Sequence, residues 1–184
     1  LAARSLDLRP GDDVLATDLE YGACDLAWEW ACRRAGAHYI RAPISLPLRD
    51  RSEVVDALFA HVTERTRAIY ISHVTSLTGL VLPLTEILAR ARSLGIVTTV
   101  DGAHAPAHVP VDLASLQPDF YSGNAHKWLG SPKGAGFLHV RPEHQERVDA
   151  AIVSWGYADG TTFQERVEMQ GTRDPAAFLA VPDA

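Results

Sequence analysis

Short apolar runs alternate with helix-length segments along the whole chain, and this alternation limits the fold more than any other feature. Val14-Leu-Ala-Thr17 reads as a strand, and residues 24–35 as a helix closed by Gly36. Ala37-His-Tyr-Ile40 is the next strand. Ser52 is expected to cap a helix over residues 52–61, because small polar residues favour helix starts. Arg67-Ala-Ile-Tyr-Ile71 carries the β-branched and aromatic content that suits a buried pleated surface. Pro83 opens a helix that runs to Leu94 and stops at Gly95, the usual placement of both residues. Strands over residues 96–100 and 119–121 follow, and a last one over 134–140 leaves a turn at Ser131-Pro-Lys-Gly134. Strands that alternate with helices build a mainly parallel sheet with helices on both faces. The final strand is reached without an intervening helix, so it is expected to run antiparallel. The fold class is therefore α/β, with three α/β/α layers around one sheet.

The 184 residues are 47% hydrophobic, enough for one domain with a sizeable core. A net charge of −6 gives no electrostatic reason to expect nucleic acid or an anionic membrane as partner. No apolar run approaches the roughly 20 residues of a membrane span, and no charged-then-apolar leader opens the sequence. Cys24 and Cys32 fall on one predicted helix, roughly 12 Å apart at its rise per residue, too far for a disulfide. A reducing cytoplasm is the expected location. The chain opens at Leu1 and closes on Phe178-Leu-Ala-Val-Pro-Asp-Ala184, which has the form of a helix cut short. Residues 1–184 are therefore expected to be part of a large domain truncated at both ends, without the small C-terminal domain.

Two polar segments follow strands in the second half: Asp101-Gly-Ala-His104 and Ser122-Gly-Asn-Ala-His126-Lys127-Trp128. Ligands of open α/β sheets sit outside the carboxyl ends of parallel strands, so Asp101 and Lys127 are expected to face one crevice. A carboxylate after an apolar run needs a partner if buried, and a lysine among bulky neighbours is a candidate for imine chemistry. Taken singly, a structural ion pair and a surface amine describe them as well. His104 and His108 have a spacing that could suggest metal, but Pro106 between them breaks the helix that would align them. No paired cysteine or acidic ligand completes a zinc pattern, so hydrogen-bonding histidines are expected. Ser72-His-Val-Thr-Ser-Leu-Thr-Gly79 lacks the glycines and lysine of a phosphate loop.

Ser72–Gly79, Asp101-Gly-Ala-His104, Asn124-Ala-His-Lys-Trp-Leu129 and Gly171-Thr-Arg-Asp174 together resemble the class V aminotransferase family of fold-type I enzymes, in order and in spacing. Thr17-Asp-Leu-Glu-Tyr21 and Gly123–Trp128 are most similar to its isopenicillin N epimerase-like branch. The resemblance implies pyridoxal 5'-phosphate as cofactor and an amino acid as substrate. It implies that Lys127 forms the Schiff base and moves the proton at the substrate α-carbon. Asp101 pairs with the pyridine nitrogen, His104 and Ser76 lie near the ring hydroxyl, and Tyr21 stacks on the ring. Asn124 and His126 hold the phosphate. Thr172 serves the phosphate site of a partner subunit, which implies a homodimer. Cysteine desulfurase or C–S lyase chemistry in the same family is the alternative reading. A non-catalytic module that keeps only the fold is the alternative from another class.

Overall fold

The computed structural model describes residues 1–184 throughout. Its elements, in chain order, are α1 (Ala2–Ser5), β1 (Asp13–Thr17), α2 (Gly22–Ala35), β2 (His38–Ala42), α3 (Ser52–Phe59), β3 (Thr66–Ser72) and α4 (Leu84–Ser93). They continue with β4 (Val97–Gly102), α5 (Leu113–Leu116), β5 (Phe120–Asn124), β6 (Gly136–Val140), α6 (Pro142–Gln145), α7 (Phe163–Glu168) and α8 (Ala176–Leu179). The strands form one sheet in the order β2-β1-β3-β4-β5-β6. All neighbours are parallel except β5 and β6, which run antiparallel as the short connection between them requires.

The chain moves from β1 to β2 on one side and returns to β3 on the other, so the order reverses between β1 and β3. Crevices open at the carboxyl ends of strands at such a reversal. Every residue of β1 is buried, as expected of an interior strand covered on both faces. On one face Leu15, Ile69, Ile71, Val100 and Tyr121 pack with Val54 and Leu58 of α3 and Ile87 and Leu88 of α4. On the other, Val14, Ala16, Ala68 and Tyr70 pack against Trp28 and Cys32 of α2. The α/β/α layering is thus carried by two separate apolar clusters. No helix is long and apolar enough to cross a membrane.

The boundaries depart from expectation where side-chain patterns and backbone pairing disagree. Strands β4 and β5 continue through Asp101 to Gly102 and through Ser122 to Asn124. Their ladder pairs Ser72 with Asp101 and Asp101 with Ser122, and backbone groups pair whatever the side chains. Ser52 is the first residue of α3 and not its cap; Asp50 accepts the Ser52 N–H at 2.8 Å instead. Gly134 has φ +113 and belongs to the turn, so β6 begins at Gly136. Cys24 and Cys32 are both free thiols.

Candidate active site

Helix α2 starts at Gly22, directly after the turn that leaves β1, and brings Tyr21 and Cys24 to the carboxyl end of the sheet. There they meet the ends of β3, β4 and β5. One open cavity of about 200 Å³ is lined by Tyr21, Cys24, Ser76, Asp101, His104, Asn124 and Lys127, with Ser72 and Ser122 among the remaining lining residues. Ser72, Asp101 and Ser122 occupy one rung of the sheet and point to the same face.

Asp101 is held by neutral donors only. The Ala103 N–H donates to Oδ1 at 2.9 Å, the Tyr70 hydroxyl to Oδ2 at 3.1 Å, and the Cys24 thiol to the same oxygen at 3.7 Å. Asp101 has no place among the ion pairs, which run through Asp12, Asp13, Asp25, Glu29, Asp119 and Glu143. A carboxylate fixed in this way has its charge left for a cation that enters the cavity. Burial raises the Cys24 thiol pKa; the Tyr70 hydrogen bond opposes this and the Asp101 charge adds to it. Tyr70 is pushed above the ordinary phenol range by burial and by the Asp101 charge, so it stays a donor.

Lys127 Nζ lies 3.2 Å from His104 Nε2 and 6.0 Å from the centroid of the Tyr21 ring. Trp128 donates its indole N–H to His104 Nδ1 at 3.1 Å. His104 and His108 turn to different partners: His108 Nδ1 sits 3.0 Å from the His104 carbonyl, and its ring stacks on Trp128 at 4.1 Å. Burial and then the Lys127 charge lower the His104 pKa, with Asp101 acting against them.

Of the residues singled out in the sequence, Lys127, Asp101, His104, Ser76, Tyr21 and Asn124 share the cavity. His126 and Thr172 do not. His126 Nδ1 lies 3.2 Å from the Ala135 carbonyl, and Thr172 is exposed near the end of the chain. Residues that the sequence reading passed over also belong to the site. Cys24, which the sequence places on one helix with Cys32, lies in the first turn of α2, where a side chain reaches the sheet end. Glu20 is 4% exposed and bridges the two strand ends at the reversal. It accepts the Ser72 N–H at 2.8 Å, the Ser72 hydroxyl at 2.5 Å and the Thr17 hydroxyl at 2.6 Å. Burial raises its pKa to about 7, against these hydrogen bonds and with a further push from Asp101. An acidic residue beside the aromatic Tyr21, in the loop that follows the strand Val14-Leu-Ala-Thr17, was the available signal.

A lysine and an unpaired carboxylate thus share one open cavity at the strand ends of a three-layer α/β/α domain, where open sheets of this class hold their ligands. The family model for class-V aminotransferases matches residues 1–180, and the chain belongs to that family. It is 40% identical over 200 residues to an isopenicillin N epimerase of Streptomyces clavuligerus, a match that covers 100% of this chain and 50% of the relative. Its fold is similar to the cystine C–S lyase C-DES in complex with cysteine persulfide, with a TM-score of 0.85 and 27% identity over 96% of this chain and 49% of that one. A mutant of the same lyase with glycine covalently linked to its PLP cofactor gives a TM-score of 0.82 and 26% identity, covering 96% and 49%. The chain spans about half the length of these relatives.

Proposed function

We propose that residues 1–184 form the large, cofactor-binding part of a pyridoxal phosphate enzyme that acts at the α-carbon of an amino acid, similar to isopenicillin N epimerases. The observation that carries this reading is that Asp101, without a cationic partner, and Lys127 face one cavity. The cavity also fits in size. An apolar space of about 150 Å³ accepts benzene, so about 200 Å³ open on one side takes one substituted aromatic ring. When bound, pyridoxal phosphate supplies an aldehyde for imine formation and a ring that withdraws electrons.

The residues divide the work by chemistry. Lys127 would supply the amine that holds the cofactor's aldehyde and would carry the proton at the substrate α-carbon. Asp101 keeps the ring nitrogen protonated through a charge-assisted hydrogen bond. Tyr21 would cover the ring, and His104 and Ser76 would meet its hydroxyl. Asn124 and His126 are assigned to the phosphate, and Thr172 to the phosphate of a second copy, which makes the working unit a homodimer. A reducing cytoplasm suits the two free cysteines.

Full-length protein mixed with pyridoxal phosphate should turn yellow, and borohydride should bleach it and leave the label on Lys127. Lys127→Ala should take up no covalent label. A wild-type protein that remains colourless would refute the proposal. Exchange of the α-proton in deuterated water identifies the substrate and supports epimerisation. The likeness to C-DES favours C–S lyase chemistry as the second reading, and release of sulfur from cystine would select it. Cys24 is a poor persulfide carrier, because its raised pKa keeps it a thiol.

A further inference from the structure

We infer that Trp128 is a positioning residue: its indole N–H fixes the tautomer of His104 and thereby directs an imidazole N–H at Lys127 Nζ. The inference rests on Lys127 being the imine-forming lysine, and it follows from the donors and acceptors of three adjoining side chains. An indole nitrogen is a donor only. With Trp128 Nε1 3.1 Å from His104 Nδ1, that ring nitrogen must accept. A neutral imidazole then carries its hydrogen on Nε2, which lies 3.2 Å from Lys127 Nζ.

The consequence reaches the reacting atom. An ammonium has no lone pair to accept with, so the chain of hydrogen bonds is complete only when Nζ is a free amine. Its lone pair is the one that attacks an aldehyde. Once Nζ is engaged elsewhere, the same Nε2–H remains aimed into the cavity as a donor, the form that an anionic ring oxygen accepts. Had Nε2 been the bare nitrogen, the hydrogen on Nδ1 would have met the indole N–H of Trp128 donor to donor.

The groups around His104 favour the neutral ring that this requires. Burial works against its protonation and His108 adds to this, while Asp101 favours it. Trp128 is itself held in place. Its ring lies on His108 at 4.1 Å with an interplanar angle of 21°, and His108 Nδ1 is 3.0 Å from the His104 carbonyl. A tryptophan that merely packed would do without its N–H.

The test uses 15N-labelled full-length protein, with Trp128→Phe to keep the stacked ring and delete the N–H. In the wild type the His104 signals should show a pyridine-type Nδ1 and a pyrrole-type Nε2. In Trp128→Phe the ratio of this tautomer to the other should fall about fivefold, as loss of one ordinary hydrogen bond implies. The rate at which Lys127 captures pyridoxal phosphate at neutral pH should fall in the same variant. A second readout needs no variant: the Trp128 indole proton should shift as His104 takes up its second proton at Nδ1. A hydrogen on Nδ1 in the wild type, an unchanged ratio in the variant, or an indole proton indifferent to that titration would overturn the inference. A protein that never turns yellow yet keeps the Nε2–H tautomer would refute the cofactor reading, and with it the role toward Lys127, while upholding the tautomer that Trp128 fixes.

Discussion

Replacing Glu20 by glutamine is expected to make the protein more stable at alkaline pH while changing little in acid. Glu20 is buried at the seam between β1 and β3, and its pKa stands at about 7 against an ordinary 4.5. Between those values the folded protein holds a proton that the unfolded chain has released, so stability is lost as pH rises through the window. A shift of this size corresponds to about 3 kcal/mol at full development. Glutamine stays neutral, and its shape lets the carbonyl oxygen accept from Ser72 while the amide faces the Thr17 hydroxyl. Urea unfolding of both proteins from about pH 5 to about pH 8.5 should show the variant gaining about 2–3 kcal/mol on the wild type. Other titrating groups, Asp13 and His73 among them, are common to both proteins and cancel in the difference. A difference that stays constant with pH would show that Glu20 does not titrate in this range and would refute the reasoning.

Three further outcomes follow from the same geometry. Gly102→Ala places a methyl group on the fully buried Tyr121 ring, whose hydroxyl lies 2.8 Å from His73 Nδ1. Calorimetry should find a loss of about 1–3 kcal/mol or more, and an unchanged melting temperature would contradict this packing. Asp13→Asn should cost about 1–3 kcal/mol at neutral pH, because the buried carboxylate meets Thr63 at 2.8 Å and His38 at 3.0 Å, with Arg65 nearby. Burial alone would raise the Asp13 pKa, but these hydrogen bonds and charges bring it below 3.8. Its stabilisation is thus present above that value and lost as pH falls through the lower, folded-state pKa, so acid unfolding should show the two proteins converging there. Cys24 should react slowly with iodoacetamide at neutral pH, and Asp101→Asn should speed the reaction by removing a charge that disfavours the thiolate. Equal rates would mean that the two groups do not interact.

The parallel sheet was legible because its interior strands are largely apolar on both faces and helices are separated from strands by glycines such as Gly36 and Gly95. The antiparallel turn of β6 was legible from the short connection before it. The short helices α6 and α7 were not, since elements of six residues or fewer show no useful periodicity. In the site, Asp101 and Lys127 stood out because charge follows an apolar strand. Glu20, Tyr70 and Cys24 come from three elements that lie together only in the folded chain, and their contacts with Asp101 and Ser72 depend on strand order. The His126 ring shows the converse: the motif names the residue, but its contact with the Ala135 carbonyl follows from the turn after it.

Ser72, Asp101 and Ser122 stand on one rung of three neighbouring strands. A slip of any of these strands by a single residue would carry its polar side chain to the opposite face, into the apolar layer beneath α3 and α4. Mispairing would thus bury a carboxylate or hydroxyl among leucines and isoleucines and, in the same step, dismantle the cavity floor. The site therefore acts as a proofreader for the sheet: the residues that give it chemistry also penalise the wrong alignment of the strands that carry them. Ser72 is further tied to the buried Glu20 by its hydroxyl, so Ser122 is the position where the cavity floor can vary, provided the newcomer remains too polar to be content on the other side.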